Sequence, residues 1–251
     1  MIVHALPAAA FGTNCYIVAQ AHGTECVIVD PGIGVADRVA DLLREQGLSP
    51  AAILLTHGHL DHVYDVPALS AASSNADEQV ATHIHGLDRY RLVNPLGDLD
   101  GGFIAMMEAQ FGTKATWQEP EAVVEFAEAP ADSTTVSAAM ATVHVAGLSI
   151  AVTHAPGHTE GSVLFTLDGI PEGLDAREAG LDQTVLSGDV LFAGSIGRCD
   201  LPGGDQAAMA RSLRDVVLPL PDSSLVLPGH GPATTMAAER RSNPYLQPPL
   251  V

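Results

Sequence analysis

The chain has 251 residues, 47% of them hydrophobic and 16% charged, with 30 acidic side chains against 11 basic ones and a formal net charge of −19. That composition describes a folding chain able to bury roughly 70–75% of its unfolded surface, and we expect one domain over residues 1–251. The charge sets phosphate backbones and anionic bilayers against a repulsive field, so nucleic acid and membrane are not expected partners. Three cysteines, Cys15, Cys26 and Cys199, are too few and too scattered for a disulfide framework or a four-thiolate zinc site. The opening "MIVHALPAAAFGTNC" has no basic n-region, and its apolar stretch is short and broken by Pro7, so a cytoplasmic location is expected.

In chain order, "CVIVDPG" (26–32) predicts a strand stopped by a turn. "VADRVADLLREQG" (35–47) follows as an amphipathic helix ended by Gly47. "AAILLTHGH" (51–59) predicts the next strand, and the less regular segment 86–120 a helical insertion or lid. Residues 119–142, acidic and Ala-rich, read as an exposed connection. Further strands are predicted in "LSIAVTHAPGH" (148–158), "GSVLFTLDG" (161–169), "QTVLSGD" (183–189) and "SSLVLPGH" (223–230), with a helix in "DQAAMARSLRDVVLPL" (205–220). Strands alternating with helices predict an α/β fold.

Four of these strands end in a short Gly- or Pro-containing turn that carries His or Asp. His57 and His59 follow "AAILLT", His158 follows "IAVTHAPG", Asp189 follows "TVLSG" and His230 follows "LVLPG". Delivered at one strand polarity, they meet at one sheet end. His57, His59, Asp61 and His62 fall within six consecutive positions of "LLTHGHLDHVYD". On a turn leaving a strand, His57 and His59 can converge on one cation, while Asp61 and His62 face a neighbouring one. Imidazole and carboxylate donors without thiolate suit zinc, iron, manganese or cobalt. The expected sets are His57, His59 and His158 for one ion and Asp61, His62 and His230 for the other, with Asp189 bridging. Two such ions ~3.5–4 Å apart share a water whose pKa falls toward ~7.

These motifs resemble those of the metallo-β-lactamase superfamily. "THGHLDH" matches its His-x-His-x-Asp-His signature, and "APGHTEGS", "SGDVLF" and "LPGHG" match its later metal-binding motifs in order. "GRCDLPGGD" (197–205) is similar to a loop of the short bacterial glyoxalase II-like hydrolases. The resemblance implies an αββα four-layer sandwich with a dinuclear site at one edge of its two sheets. It also implies two divalent ions, zinc foremost with iron or manganese as alternatives. The implied reaction is hydrolysis of an S-2-hydroxyacyl thioester of the S-lactoylglutathione type by a metal-bridging hydroxide. Asp61 would orient that hydroxide and accept its proton. Two alternatives stand beside it: a persulfide dioxygenase with one iron on His57, His158 and Asp189, or a lactone or ester hydrolase on the dinuclear site.

Other residues carry weaker expectations. Arg198 either braces its loop through Asp200 or meets an anionic substrate. Asp30 is expected to be a turn residue or a carboxylate that orients a ligand, and His154 to hold a strand end or orient a ligand. His83 and His85 are read as structural, and His4, His22 and His144 as structural or surface groups. Ser195 in "AGSIG" lacks the first glycine and the following helix of a nucleophile elbow, and no base marks Cys199 for thiol chemistry.

Overall fold

A computed structural model describes residues 1–71, 80–97, 101–111, 116–126, 141–174 and 180–248. Alternating burial along the strands creates the architecture. In the strand Glu25–Val29, Val27 and Val29 face one apolar cluster and Ile28 the other. In the strand Val163–Asp168, Val163, Phe165 and Leu167 join the first cluster while Leu164 joins a third. A strand with two apolar faces must be covered on both sides, and four layers result.

The first sheet comprises β1 (Ile2–Pro7), β2 (Asn14–Ala19), β3 (Glu25–Val29), β4 (Ser49–Leu54), β5 (Ala81–His85) and β6 (Val123–Phe126), in that spatial order. β1, β2 and β3 pair antiparallel, and β3 through β6 parallel. The second sheet is built from β7 (Ala141–Val145), β8 (Leu148–His154), β9 (Val163–Asp168), β10 (Gln183–Gly188), β13 (Ser224–Pro228) and β14 (Thr234–Thr235), ordered β14-β13-β10-β9-β8-β7. A small hairpin, β11 (Leu191–Phe192) with β12 (Ser195–Ile196), lies between β10 and β13 in the chain.

Between the sheets, Val18, Val27, Val29 and Leu54 pack with Ile150, Val152, Phe165 and Leu186. On the outer face of the first sheet, Ile17, Ile28 and Ile53 meet Val39 of α1 (Ala36–Gln46) and Leu69 of α3 (Val66–Ala71). The short α2 (Leu60–Val63) lies between them in sequence, and α4 (Gly101–Phe111) follows β5. On the outer face of the second sheet, Leu164, Val185 and Val226 meet Met209 of α5 (Gln206–Ser212) and Met236 of α6 (Met236–Ser242). Each fully buried aliphatic side chain contributes about 1.5–3 kcal/mol by leaving water.

Helix α1 ends as its sequence requires, with Gly47 at φ +65 in the left-handed conformation that glycine adopts without a Cβ penalty. At its start, Val35 supplies no capping side chain. Instead the Asp65 carboxylate accepts from the Val35 and Ala36 amides at 2.6 and 2.8 Å.

Several sequence expectations are corrected. The strand expected over 51–59 is Ser49–Leu54, because Thr56 leaves the ladder to bond Asp30. The helix expected over 205–220 is capped by Asp205, runs as α-helix only through Ser212, and widens to a π-turn at Leu213–Val217. Within 86–120, a 3₁₀ helix spans Gly86–Leu92 and α4 spans Gly101–Phe111. The acidic stretch 119–142 contributes edge strand β6 and the start of β7, and the part between 127 and 140 lies outside the described residues. Among the described residues, no helix is long and apolar enough to cross a bilayer.

Candidate metal centre

Strand direction brings the dispersed residues together. β10 is parallel to β13, and β8 is antiparallel to β9, itself antiparallel to β10, so β8, β10 and β13 point the same way. Their C-terminal ends deliver His158, Asp189 and His230 to one edge. The loop after β4 brings His57 and His59, and α2 carries Asp61 and His62 one turn further. The sheets are stitched together here, with Val163 N–H donating to the Thr56 carbonyl at 2.9 Å and Asn14 N–H to the Gly229 carbonyl at 2.7 Å.

All seven residues converge. His57, His59 and His158 form one group, Asp61, His62 and His230 a second, and Asp189 joins His57 and His62 in a third that connects them. Within each group the candidate donor atoms lie within 4.8 Å of one another. His62 Nε2 is 3.3 Å from Asp189 Oδ1, and His158 and His230 Nε2 are each 3.5 Å from its Oδ2. His230 Nε2 is also 3.3 Å from Asp61 Oδ2.

Outer contacts orient the rings. His158 Nδ1–H donates to the Arg198 carbonyl at 2.7 Å and His230 Nδ1–H to the Phe11 carbonyl at 3.2 Å. His62 Nδ1 bonds Asp30 Oδ2 at 3.0 Å, and His57 Nδ1 meets Thr56 Oγ1 at 3.1 Å. With Nδ1 of these four rings engaged outward, their Nε2 atoms face inward, the arrangement by which proteins fix a metal-binding imidazole. His59 is turned the other way, its Nδ1 lying 2.8 Å from His158 Nε2.

The donor set fits cations. Among the described residues, His57 Nε2 is buried with no hydrogen-bond partner and Asp189 Oδ1 is buried with only the His62 ring, 3.3 Å away, near it, a costly condition unless something else satisfies them. Burial, then the neighbouring His62, His158 and His59, hold the His57 imidazole well below its ordinary value, and burial with His158 lowers His59 to about 3. Those rings therefore present lone pairs rather than protons at neutral pH. Burial opposes ionisation of Asp61 and Asp189, yet His62 and the surrounding imidazoles outweigh it and keep both carboxyls below their usual range. A concentration of lone pairs and carboxylates at contact distance is the environment that divalent ions stabilise.

Close approach explains one glycine of the motifs. A Cβ on Gly229 would sit 2.2 Å from Asp189 Oδ1 and 2.8 Å from the His62 ring, inside the cluster itself. Above the cluster opens a cavity of about 590 Å³, with Asp61, His158, Asp189 and His230 in its floor and Phe11, Leu60, Phe192, Ile196 and Leu201 in its walls.

The remaining candidates sort by contact. Asp30 is buried and holds both Thr56 and His62. His154 closes β8 at its strand end, where its ring stacks on His85 at 4.2 Å and donates to the Glu160 carbonyl rather than to any of the seven candidate ligands. His83 stacks on Phe126, and His85 accepts from the Leu87 amide to cap the 3₁₀ helix. Arg198 lines the cavity, yet its guanidinium is engaged by Asp200 through two bonds of 2.7 Å. The Ser195 hydroxyl donates to the neighbouring Ile196 carbonyl, and among the described residues it has no bond to a base. Sequence reasoning missed Thr13, whose hydroxyl donates to Asp61 Oδ2 at 3.0 Å, and Asp88, a fully buried carboxylate beneath the cluster. Neither carries a local pattern, since Thr13 and Asp61 are 48 residues apart in the chain.

Comparison with known proteins places this geometry. The Metallo-beta-lactamase superfamily model matches residues 8–169. An uncharacterized protein of Mycobacterium tuberculosis is 39% identical over 98% of both chains, and the hydroxyacylglutathione hydrolase GloC of Haemophilus influenzae is 30% identical over 98% of both. Among solved structures, the BLEG-1 B3 metallo-beta-lactamase superposes with a TM-score of 0.71 at 30% identity, covering 98% of this chain and 100% of its own. The TTHA1623 protein, in a di-iron-bound form, superposes at 0.69 with 32% identity, covering 97% and 100%. Family match, fold and His/Asp cluster agree: this chain belongs to the metallo-beta-lactamase superfamily, as a metal-dependent hydrolase of that fold.

Proposed function

We propose that the chain hydrolyses the thioester of an S-2-hydroxyacyl thiol, the S-lactoylglutathione type, to a 2-hydroxy acid and free thiol. The observation that carries this reading is the pair of adjoining His/Asp groups, joined through Asp189 and opening onto a cavity. The 30% identity to a hydroxyacylglutathione hydrolase along nearly the whole of both chains supports the choice of substrate class.

His57, His59 and His158 would hold one divalent ion, and Asp61, His62 and His230 the other, with Asp189 shared between them. Zinc suits the donors best; iron and manganese suit them too. Such ions supply a water ionised near neutral pH and a Lewis acid for the acyl carbonyl. Asp61 is partly open to the cavity, its Oδ2 tied to Thr13 and facing His230. Held as a carboxylate, it orients the attacking water and receives its proton. His230, anchored on the Phe11 carbonyl, keeps Asp61 turned inward. Phe11, Leu60, Phe192, Ile196 and Leu201 exclude bulk water around the acyl group. The departing thiol, with a pKa near ~8.5, leaves with little acid assistance. Arg198 braces the 197–205 loop through Asp200 at the cavity wall, within reach of an anionic carrier group.

Reconstitution with Zn(II), Fe(II) or Mn(II), followed by assays with S-lactoylglutathione, glutathione persulfide and a lactone panel, tests the reading. Thiol release from the thioester without oxygen uptake is the expected result. Oxygen consumption with the persulfide and no thiol release would replace it with the dioxygenase, and turnover of lactones alone with the lactonase.

A further inference from the structure

Beneath the cluster, one carboxylate ties together loops distant in the chain. Asp88, in the 3₁₀ helix Gly86–Leu92, is completely buried. Its Oδ2 accepts from Gly58 N–H at 2.8 Å and from the Thr159 hydroxyl at 2.7 Å, and its Oδ1 accepts from Gly161 N–H at 2.8 Å. Gly58 lies between His57 and His59, and Thr159 directly follows His158. The donors to Asp88 thus come from the two backbone segments that carry the first imidazole group and from no part of the second group.

Arg91, one turn along the same helix, extends the clamp. Its Nε lies 3.6 Å from Asp88 Oδ1, and its Nη2 donates to Glu160 Oε2 at 2.8 Å and to the Pro202 carbonyl at 2.9 Å. The loops close around this pair so tightly that glycine is required. A Cβ on Gly58 would lie 2.8 Å from Arg91 Cβ and Cδ, and a Cβ on Gly161 2.7 Å from Asp88 Cβ and Cγ. The second group is held by other anchors: His62 by Asp30, His230 by the Phe11 carbonyl and Asp61 by Thr13.

We infer that Asp88 is a positioning residue for one cation only, setting His57, His59 and His158 at binding distance by fixing the backbone on which they sit. The inference rests on the reading of the cluster as a two-cation centre. A carboxylate suits this place because its two oxygens accept three donors at once. An asparagine has one carbonyl oxygen, and its amide group would face a backbone N–H or the Thr159 hydroxyl.

The test is Co(II) binding by the metal-free chain, read from its d–d absorption in competition with a chelator. Asp88→Asn is expected to weaken one of the two equivalents by roughly 10- to 100-fold and to leave the other within about 2-fold, the penalty typical of losing an outer partner of a metal ligand. Thr159→Val, which removes one donor, should weaken the same equivalent, and Thr159→Ser should restore it. That pair carries the test if Asp88→Asn fails to fold by near-UV circular dichroism. Wild-type affinity at both equivalents in the variants, or equal loss at both, would overturn the inference. A wild-type chain that takes up no Co(II) would overturn the two-cation reading beneath it.

Discussion

The buried imidazole of His62 meets the buried carboxylate of Asp30, Nδ1 to Oδ2 at 3.0 Å. The same carboxylate accepts from Thr56 N–H at 2.8 Å and from the Thr56 hydroxyl at 2.6 Å. Asp30 therefore joins the end of β3, the exit of β4 and one candidate ligand. It does so with φ at +50, a conformation that aspartate tolerates better than most residues.

Asp30→Ala should leave the Thr56 donors without an acceptor and His62 free to turn. Breaking a buried pair of this kind costs about 3–5 kcal/mol. Urea unfolding of the metal-free chain checks the stability loss, and Co(II) titration checks the accompanying fall in affinity at the second group. Unchanged unfolding midpoints would show that Thr56 finds another partner.

Asp189→Ala should remove metal and turnover together, because this carboxylate reaches His62, His158 and His230 at 3.3–3.5 Å. A loss of about 100-fold in turnover corresponds to about 3 kcal/mol of transition-state stabilisation. Metal content per chain should fall below that of the wild type, and its thermal midpoint should no longer respond to added metal, since a ligand stabilises only the state that binds it. Full turnover in a metal-free variant would refute the mechanism.

His85 gives the fold an acid-sensitive contact. Burial, then the stacked His154 ring, lowers its imidazole to about 4, against about 6.5 in an unfolded chain. Between those values the unfolded state binds the extra proton, so His85 costs nothing above pH ~6.5 and removes stability as pH falls toward ~4, by about 3 kcal/mol in all. Protonation also turns Nδ1 from an acceptor of the Leu87 amide into a donor. Comparing urea unfolding of metal-free wild type and His85→Asn across this window should show a shallower pH slope in the variant, which retains a capping acceptor. Equal slopes would place the acid sensitivity elsewhere.

Thiol chemistry should be dispensable. Burial pushes the Cys26 thiol up to about 12 and Cys15 well above its usual range, while burial and then Asp200 and Asp205 raise Cys199. The Cys199 thiol points at the Gly197 carbonyl, 3.6 Å away. An aromatic disulfide reagent should label Cys199 at most in the native chain and all three cysteines after unfolding. Cys199→Ser should retain wild-type turnover; a large loss would restore a role for the sulfur.

Much of the centre was legible because its signals are local. His57, His59, Asp61 and His62 are sequence neighbours behind an apolar run, and the glycine-flanked His158, Asp189 and His230 each follow a strand. One polarity for those strands predicts convergence, and the β8, β10 and β13 pairings supply it. Gly47 ends α1 as read, since a left-handed residue there depends on the local chain alone. Strands β1, β2, β5, β6 and β7 were missed: half-exposed patterns such as "IVHALP" and "VVEF" carry weak periodicity, short runs such as "ATHIH" mix polar with apolar residues, and the state of each is decided by a neighbouring strand.

The amino-acid order by itself determined the α/β class and the seven candidate ligands, because apolar runs, helix ends and the spacing of donors are properties of a few consecutive residues; the four layers were implied by the family resemblance alone. Only the tertiary structure decided how closely Asp189 approaches His62, His158 and His230, that His154 turns to His85, that Arg198 is engaged by Asp200, and that Asp30 and Asp88 hold the loops in place. Asp88 meets Gly58, Thr159 and Gly161 across 30, 71 and 73 residues of chain. Such contacts exist only once the sheets have packed and bulk water has left the space between them.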